Sequence, residues 1–220
     1  MRIAILGVLV IAAGLNSPPA GATILTSGSS GLPENFGIVS VNGGPVPPTS
    51  SGAFSSASFT GHFISVVVSD VGNPFCSGCL DFLYQIGVGA APEGSSGAIA
   101  RITGFSFDGF SSDVGLFTTA PPDLSSAGGI APTSVDRSFN PADTIGFNFG
   151  NQSLLPGMIS DILVIRTNAT AFDAGTLNID GATVAAFQPT AVPEPASFVL
   201  FGSALMGFWL IRKKTHRLSG

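Results

Sequence analysis

The 220-residue chain has two cysteines, two histidines, one tryptophan and one tyrosine, and only 10% of its residues are charged. Between residues 23 and 191 it has no lysine. Each scarcity removes a class of chemistry. A Ser-His-Asp hydrolase needs a base, and the only histidine besides His216 is His62. It stands in the apolar run His62-Phe63-Ile64-Ser65-Val66-Val67-Val68, where it is expected to face solvent or to be satisfied in the core. Zinc needs four ligands, and only His62 could join Cys76 and Cys79. In an oxidising compartment Cys76-Ser77-Gly78-Cys79 is expected to close as a small disulfide loop, since Ser-Gly can turn tightly. A redox-active pair would call for a helix N-terminus after it, and a strand pattern follows instead.

Other catalytic sets are equally thin. A glycosidase needs two carboxylates across a cleft. Asp81, Asp108, Asp113 and Asp161 lie in or beside strand patterns and are expected as surface carboxylates. No phosphate-binding glycine loop stands between a strand and a helix. The stretch Asp108 to Asp113 has oxygen ligands suited to calcium but no EF-hand or nonapeptide pattern. The expectation is a protein that is not an enzyme and has no cofactor and no metal site.

The two ends of the chain say more. Met1-Arg2, the apolar stretch Ile3 to Leu15 and the closing Ala20-Gly21-Ala22 have the three parts of a secretory signal peptide. Cleavage is expected after Ala22, with signal peptidase and the Sec translocon as partners. Thirteen apolar residues are too few to span a bilayer. At the other end, Pro193-Glu194-Pro195 precedes an apolar run from Ala196 to Ile211 and the basic cluster Arg212, Lys213, Lys214, His216 and Arg217. As a helix those 16 residues rise about 24 Å, a short span of the ~30 Å hydrocarbon core. From Phe198 to Ile211 only Ser203 and the Trp209 indole carry hydrogen-bonding groups, so no polar stripe is available to meet water. Basic residues at both ends stay on the cytoplasmic side, which puts the region between them across the membrane. The two prolines fix φ, remove donors and keep the segment before the span extended.

This tail resembles the PEP-CTERM sorting signal, made of a Pro-Glu-Pro motif, a short hydrophobic segment and a terminal basic cluster. The resemblance implies that exosortase, a membrane-embedded cysteine transpeptidase-like enzyme, recognises and processes Pro193, Glu194 and Pro195. Ala196 to Ile211 would then be a transient inner-membrane anchor, and Arg212, Lys213 and Lys214 its stop. It also implies a Gram-negative exported protein linked to exopolysaccharide and biofilm, destined for the outer surface or extracellular matrix. The stretches Cys76 to Val88, Phe105 to Val114, Gly146 to Phe149 and Ser160 to Val192 look like a recurrent PEP-CTERM cargo domain with no assigned biochemistry.

The division is therefore 1–22 signal peptide, 23–191 exported domain and 192–217 sorting tail, with a transmembrane helix over 196–211. In the exported domain three arginines face twelve acidic residues, a balance of −9. Such a surface repels nucleic acid and anionic headgroups. Residues 23–56 read as turns and loops with one short strand at Gly37 to Val41. Period-2 patterns predict strands at Phe59 to Ser69, Leu80 to Val88, Ala98 to Phe107, Gly115 to Thr118, Thr144 to Phe149, Ser160 to Thr167 and Gly175 to Phe187. Leu80, Phe82, Tyr84, Ile86 and Val88 share one face, as do Ile145, Phe147 and Phe149, and Ile162, Val164 and Arg166. The expected fold is all-β, an antiparallel, jelly-roll-like β-sandwich. The expected role is structural or adhesive. The alternative is a carbohydrate-binding module for exopolysaccharide, which would have to stack sugars on phenylalanine because Trp209 lies in the tail and Tyr84 on a core face.

Overall fold

The computed structural model describes residues 24–37, 49–95, 97–117, 119, 124 and 128–191. They form short edge strands β1 (Ser30–Gly31) and β2 (Glu34–Asn35), then β3 (Thr49–Ser55), β4 (Thr60–Ser69), β5 (Leu80–Val88) and β6 (Arg101–Gly104). After these come β7 (Ser112–Phe117), β8 (Ser134–Arg137), β9 (Ile145–Asn148), β10 (Ile162–Thr167), β11 (Ala171–Ile179) and β12 (Ala182–Thr190). The helical content of the described residues is one 3-10 turn, Gly150–Gln152. Among them no helix is long and apolar enough to cross a membrane.

Two six-stranded sheets result, ordered β1-β8-β9-β6-β11-β12 and β2-β7-β10-β5-β4-β3. All pairs are antiparallel except β2 with β7, which is parallel, so the second sheet is mixed. The winding is not that of a jelly roll. β3, β4 and β5 are consecutive neighbours in one sheet, and β8-β9 and β11-β12 are consecutive hairpins in the other. The chain builds local antiparallel pairs first and then switches sheets.

Between the sheets lies one continuous core. It takes Phe82 and Ile86 from β5, Leu163 and Ile165 from β10, Ile102 from β6, Phe147 from β9, and Leu177 and Ile179 from β11. Phe82 meets Phe107 edge to face at 5.8 Å. The alternation in β5 places Leu80, Phe82, Tyr84, Ile86 and Val88 in this core, and the Tyr84 hydroxyl crosses it to donate to the Phe187 carbonyl at 3.2 Å. The opposite face of β5 is buried as well, so every residue of the strand is inside. There Leu83, Val66, Val68, Ile162 and Val164 form a second cluster, covered by Leu124 and Phe36.

Two sequence expectations need correction, and one strand carried no expectation. Thr49 to Ser55 is a strand, although it is rich in serine and read as loop. Its partner β4 imposes the conformation, residue for residue from Thr49 opposite Val66 to Ser55 opposite Thr60. Gly175 to Phe187 is two strands rather than one, joined by the two-residue turn Asp180-Gly181 with φ of 46° and 96°. An Asp-Gly pair between strand patterns is the mark of such a turn. Ser134 to Arg137, four residues too short to show a period, pairs with β9. Of the proposed strand at Gly37 to Val41, Gly37 is not in a strand and the rest lies outside the described residues.

Phe82 is fully buried and central to the inter-sheet core. Phe82→Ala should lower unfolding free energy by about 3–5 kcal/mol, read from the midpoint shift in urea unfolding with unchanged slope.

Candidate functional site

The most unusual chemistry among the described residues lies on the outward face of the second sheet. In register, Asp113 of β7 stands opposite Arg166 of β10, and Arg166 stands opposite Asp81 of β5. One strand-to-strand row therefore reads acid, arginine, acid. Asp70, just past β4, adds a third carboxylate. Its Oδ2 lies 3.3 Å from Arg166 Nη2, and Asp81 Oδ2 lies 3.6 Å from Arg166 Nε. The guanidinium stacks on Phe36, 3.9 Å from the ring centroid, with Phe117 at 5.5 Å. Asn73 Nδ2 donates to Asp81 Oδ1 at 2.8 Å and to the Thr167 carbonyl at 3.1 Å, while Gly72 N–H donates to Asp70 Oδ1 at 2.8 Å.

The β4–β5 connection that supplies Asp70 and Asn73 is tied locally. Cys76 and Cys79 are joined in a disulfide with Cα atoms 5.2 Å apart, and Asp70 N–H donates to the Cys79 carbonyl at 3.3 Å.

Asp81 and Asp113 are 0% exposed. The expectation of surface carboxylates fails for both. It rested on surface carboxylates being the commoner case; alternation puts Asp81 on the face opposite Phe82 and leaves open whether that face meets water. Here Phe36 and Leu124 cover the sheet, so both faces are interior. Of the other two, Asp108 is exposed, and Asp161 is half-buried and accepts from Gly128 N–H at 3.1 Å. His62 is exposed, the solvent-facing alternative of the two expected. Among the described residues no group of three or more His, Cys, Asp or Glu side chains is placed to hold a metal ion.

Burial pushes the Asp81 carboxyl up to about 8, with Arg166 opposing the shift and the Asp70 charge adding to it. Burial, helped by the charge of Glu34, lifts Asp113 to about 7. Two acids holding protons near neutrality resemble the tuned pairs of active sites. Their complete burial denies them a substrate. What the arrangement does is tie β5, β10 and the β4–β5 connection together through one guanidinium, while Asp113 of β7 is buried in the same row with neither carboxylate oxygen hydrogen-bonded.

The other two arginines of the domain are also committed to the fold. Arg137 donates to the carbonyls of Leu25, Ala142, Phe107 and Phe110. Arg101 lies against Asp136 and Asn148, with Nη2 donating to Asp136 Oδ1 at 2.7 Å, and these bonds hold the Asp136 carboxyl below its usual range. Thus each described arginine has partners within the fold.

The decisive functional signal follows the last strand. β12 ends at Thr190, and the family model for the PEP-CTERM protein-sorting motif matches residues 191–214. The chain carries a PEP-CTERM sorting motif. No curated protein and no solved structure matches the chain. The PEP-CTERM match spans Pro193, Glu194, Pro195, the apolar run and Arg212, Lys213 and Lys214. It indicates exosortase-dependent sorting of an exported, membrane-transiting protein. These residues, like Ala20 and Ala22 at the expected signal cleavage site, lie outside the described residues. The PEP-CTERM motif thus begins directly at the end of the sandwich.

The buried row predicts an inverted pH response. A carboxyl with a raised folded value binds its proton more tightly when folded. Its stabilising contribution is therefore full below the ordinary carboxylate range of about 4 and is lost as pH rises through about 7 for Asp113 and about 8 for Asp81. Within that window each group costs about 1.4 kcal/mol per pH unit. Urea unfolding of the wild type should show stability falling from pH 5 to pH 9. Asp81→Asn should flatten the profile and be the more stable form at pH 9. Arg166→Met should cost about 3–5 kcal/mol at pH 9, where it strands buried charge, and less at pH 5.

Proposed function

We propose that this protein is a non-enzymatic exported cargo, a structural or adhesive component of the cell surface or extracellular matrix linked to exopolysaccharide and biofilm. The N-terminal segment carries it through the Sec translocon and is removed by signal peptidase after Ala22. The domain then faces the periplasm while Ala196 to Ile211 holds it as a single-span intermediate in the inner membrane. Exosortase acts at Pro193-Glu194-Pro195 and releases the domain to its final location.

The observation that carries this reading is the PEP-CTERM match at residues 191–214, starting one residue after β12 ends. The fold supports it from the other side. Asp70 and Asp81 converge on Arg166, and these two and Asp113 are buried. Its arginines are spent on internal contacts, which argues against nucleic acid or anionic lipid as partners.

Replacing Pro193-Glu194-Pro195 with three alanines tests the assignment in cells. The variant should accumulate in the inner-membrane fraction, and the processed, surface-located form should fall by at least about tenfold, the effect of removing a recognised motif worth 1.4 kcal/mol or more. Processing and location identical to wild type would remove the reading.

A further inference from the structure

Residues 24 and 190 lie at the same end of the sandwich. β11 and β12 form a hairpin closed by Asp180-Gly181, and at its open end Thr190 stands opposite Ala171. Just before Ala171, β10 ends at Thr167, opposite Ser112 at the start of β7. Ile24 bridges the next residue, Asp113, and Leu25 N–H donates to the Ser112 carbonyl at 2.8 Å. The end of β4 and the start of β5 meet there too, since Ser69 pairs with Leu80 and Leu80 N–H donates to the Ala169 carbonyl at 2.9 Å. The connections 70–79, 105–111, 138–144 and 168–170 therefore cover this end. Arg137 gathers its middle, donating to carbonyls of Leu25, Phe107, Phe110 and Ala142. The opposite end holds the Asp180-Gly181 turn and residues 153–159, where Gly157 N–H donates to the Val88 carbonyl at 2.9 Å.

The length of chain beyond β12 decides which end meets the membrane. From Thr190 to Ala196 is six residue steps, which reach at most about 22 Å when fully extended. The headgroup layer takes up roughly 5–8 Å of that reach. The nine-residue strands β11 and β12 place Asp180-Gly181 roughly 27 Å from Thr190. The tether is thus too short to let the domain turn its far end to the bilayer. The other exit agrees. Ile24 stands two residues past the expected cleavage after Ala22, so a signal segment still attached would hold the same end down.

We infer that this end of the sandwich rests on the bilayer in the anchored intermediate and fits a zwitterionic headgroup layer. The inference rests on Ala196 to Ile211 being a membrane span. Phe139 is 79% exposed at this end, and Ile24, Val71 and Phe172 are exposed beside the same connections. Exposed phenylalanine and aliphatic tips suit the boundary between headgroups and acyl chains. Leu32 lies instead between the edge strands β1 and β2, and Leu155 and Met158 are exposed at the far end. Charge chooses the lipid. Asp108 and Asp173 are exposed at the membrane-facing end while Arg137 is buried, so anionic headgroups are repelled and zwitterionic ones are not.

The test is tryptophan quenching in the full chain, reconstituted into phosphatidylcholine vesicles with acyl chains brominated near the headgroups. Trp209 is the only tryptophan of the unmodified chain and should be quenched. In a Trp209→Phe background, Phe139→Trp and Phe172→Trp should be quenched at least about twofold more than Leu155→Trp at the far end. In the unmodified chain, amide exchange should be slower on vesicles than in detergent over residues 70–79 and 138–144, and unchanged over 153–159. That second readout needs no substitution. Quenching of Trp209 with Phe139→Trp no more quenched than Leu155→Trp, or exchange slowed equally at both ends, would overturn the inference and leave the anchor standing. An unquenched Trp209 would overturn the anchor and the inference with it.

Discussion

The row of Asp113, Arg166 and Asp81 across three neighbouring strands is the constraint around which this domain is arranged. It sits on the face of the second sheet that a simple sandwich would give to water. Because that face is covered there instead, Asp70 and Asp81 share one guanidinium in a low-dielectric setting, Asp113 is buried in the same row without a hydrogen-bond partner, and the guanidinium rests on Phe36. The raised carboxyl values of Asp81 and Asp113 follow from that burial. Breaking such a set is more costly than never having it. A buried charged set of this kind is weak evidence for net stability.

This internal use of charge extends to the other two arginines. All three have partners within the fold, and the Arg166 side chain is more buried than that of Arg101, which stays partly exposed beside Asp136.

The strands with clear period 2 were legible in the sequence. β5 runs from Leu80 to Val88 as its alternation says, and β4 and β10 follow closely. β3 and β8 were not, because serine-rich or four-residue segments take strand conformation from their partners rather than from their own pattern. The hairpin at Asp180-Gly181 carried a readable turn signal that a long apolar alternation masked. The acid–arginine row could not be read at all. Asp81, Asp113 and Arg166 are far apart in the chain, and only the register of three strands and the cover from Phe36 and Leu124 make them one cluster. The sorting motif was the opposite case. Its chemistry is contiguous, so Pro193-Glu194-Pro195, the apolar run and the basic cluster declare themselves without any fold.

The most direct measurement is the intact mass of the protein recovered from cells with and without exosortase. With the enzyme, the account predicts a surface-fraction species that begins at Thr23 and has lost the apolar run Ala196 to Ile211. Without it, the account predicts a membrane-fraction species that retains the run. A surface species that still carries Ala196 to Ile211, or masses identical in the two backgrounds, would contradict it.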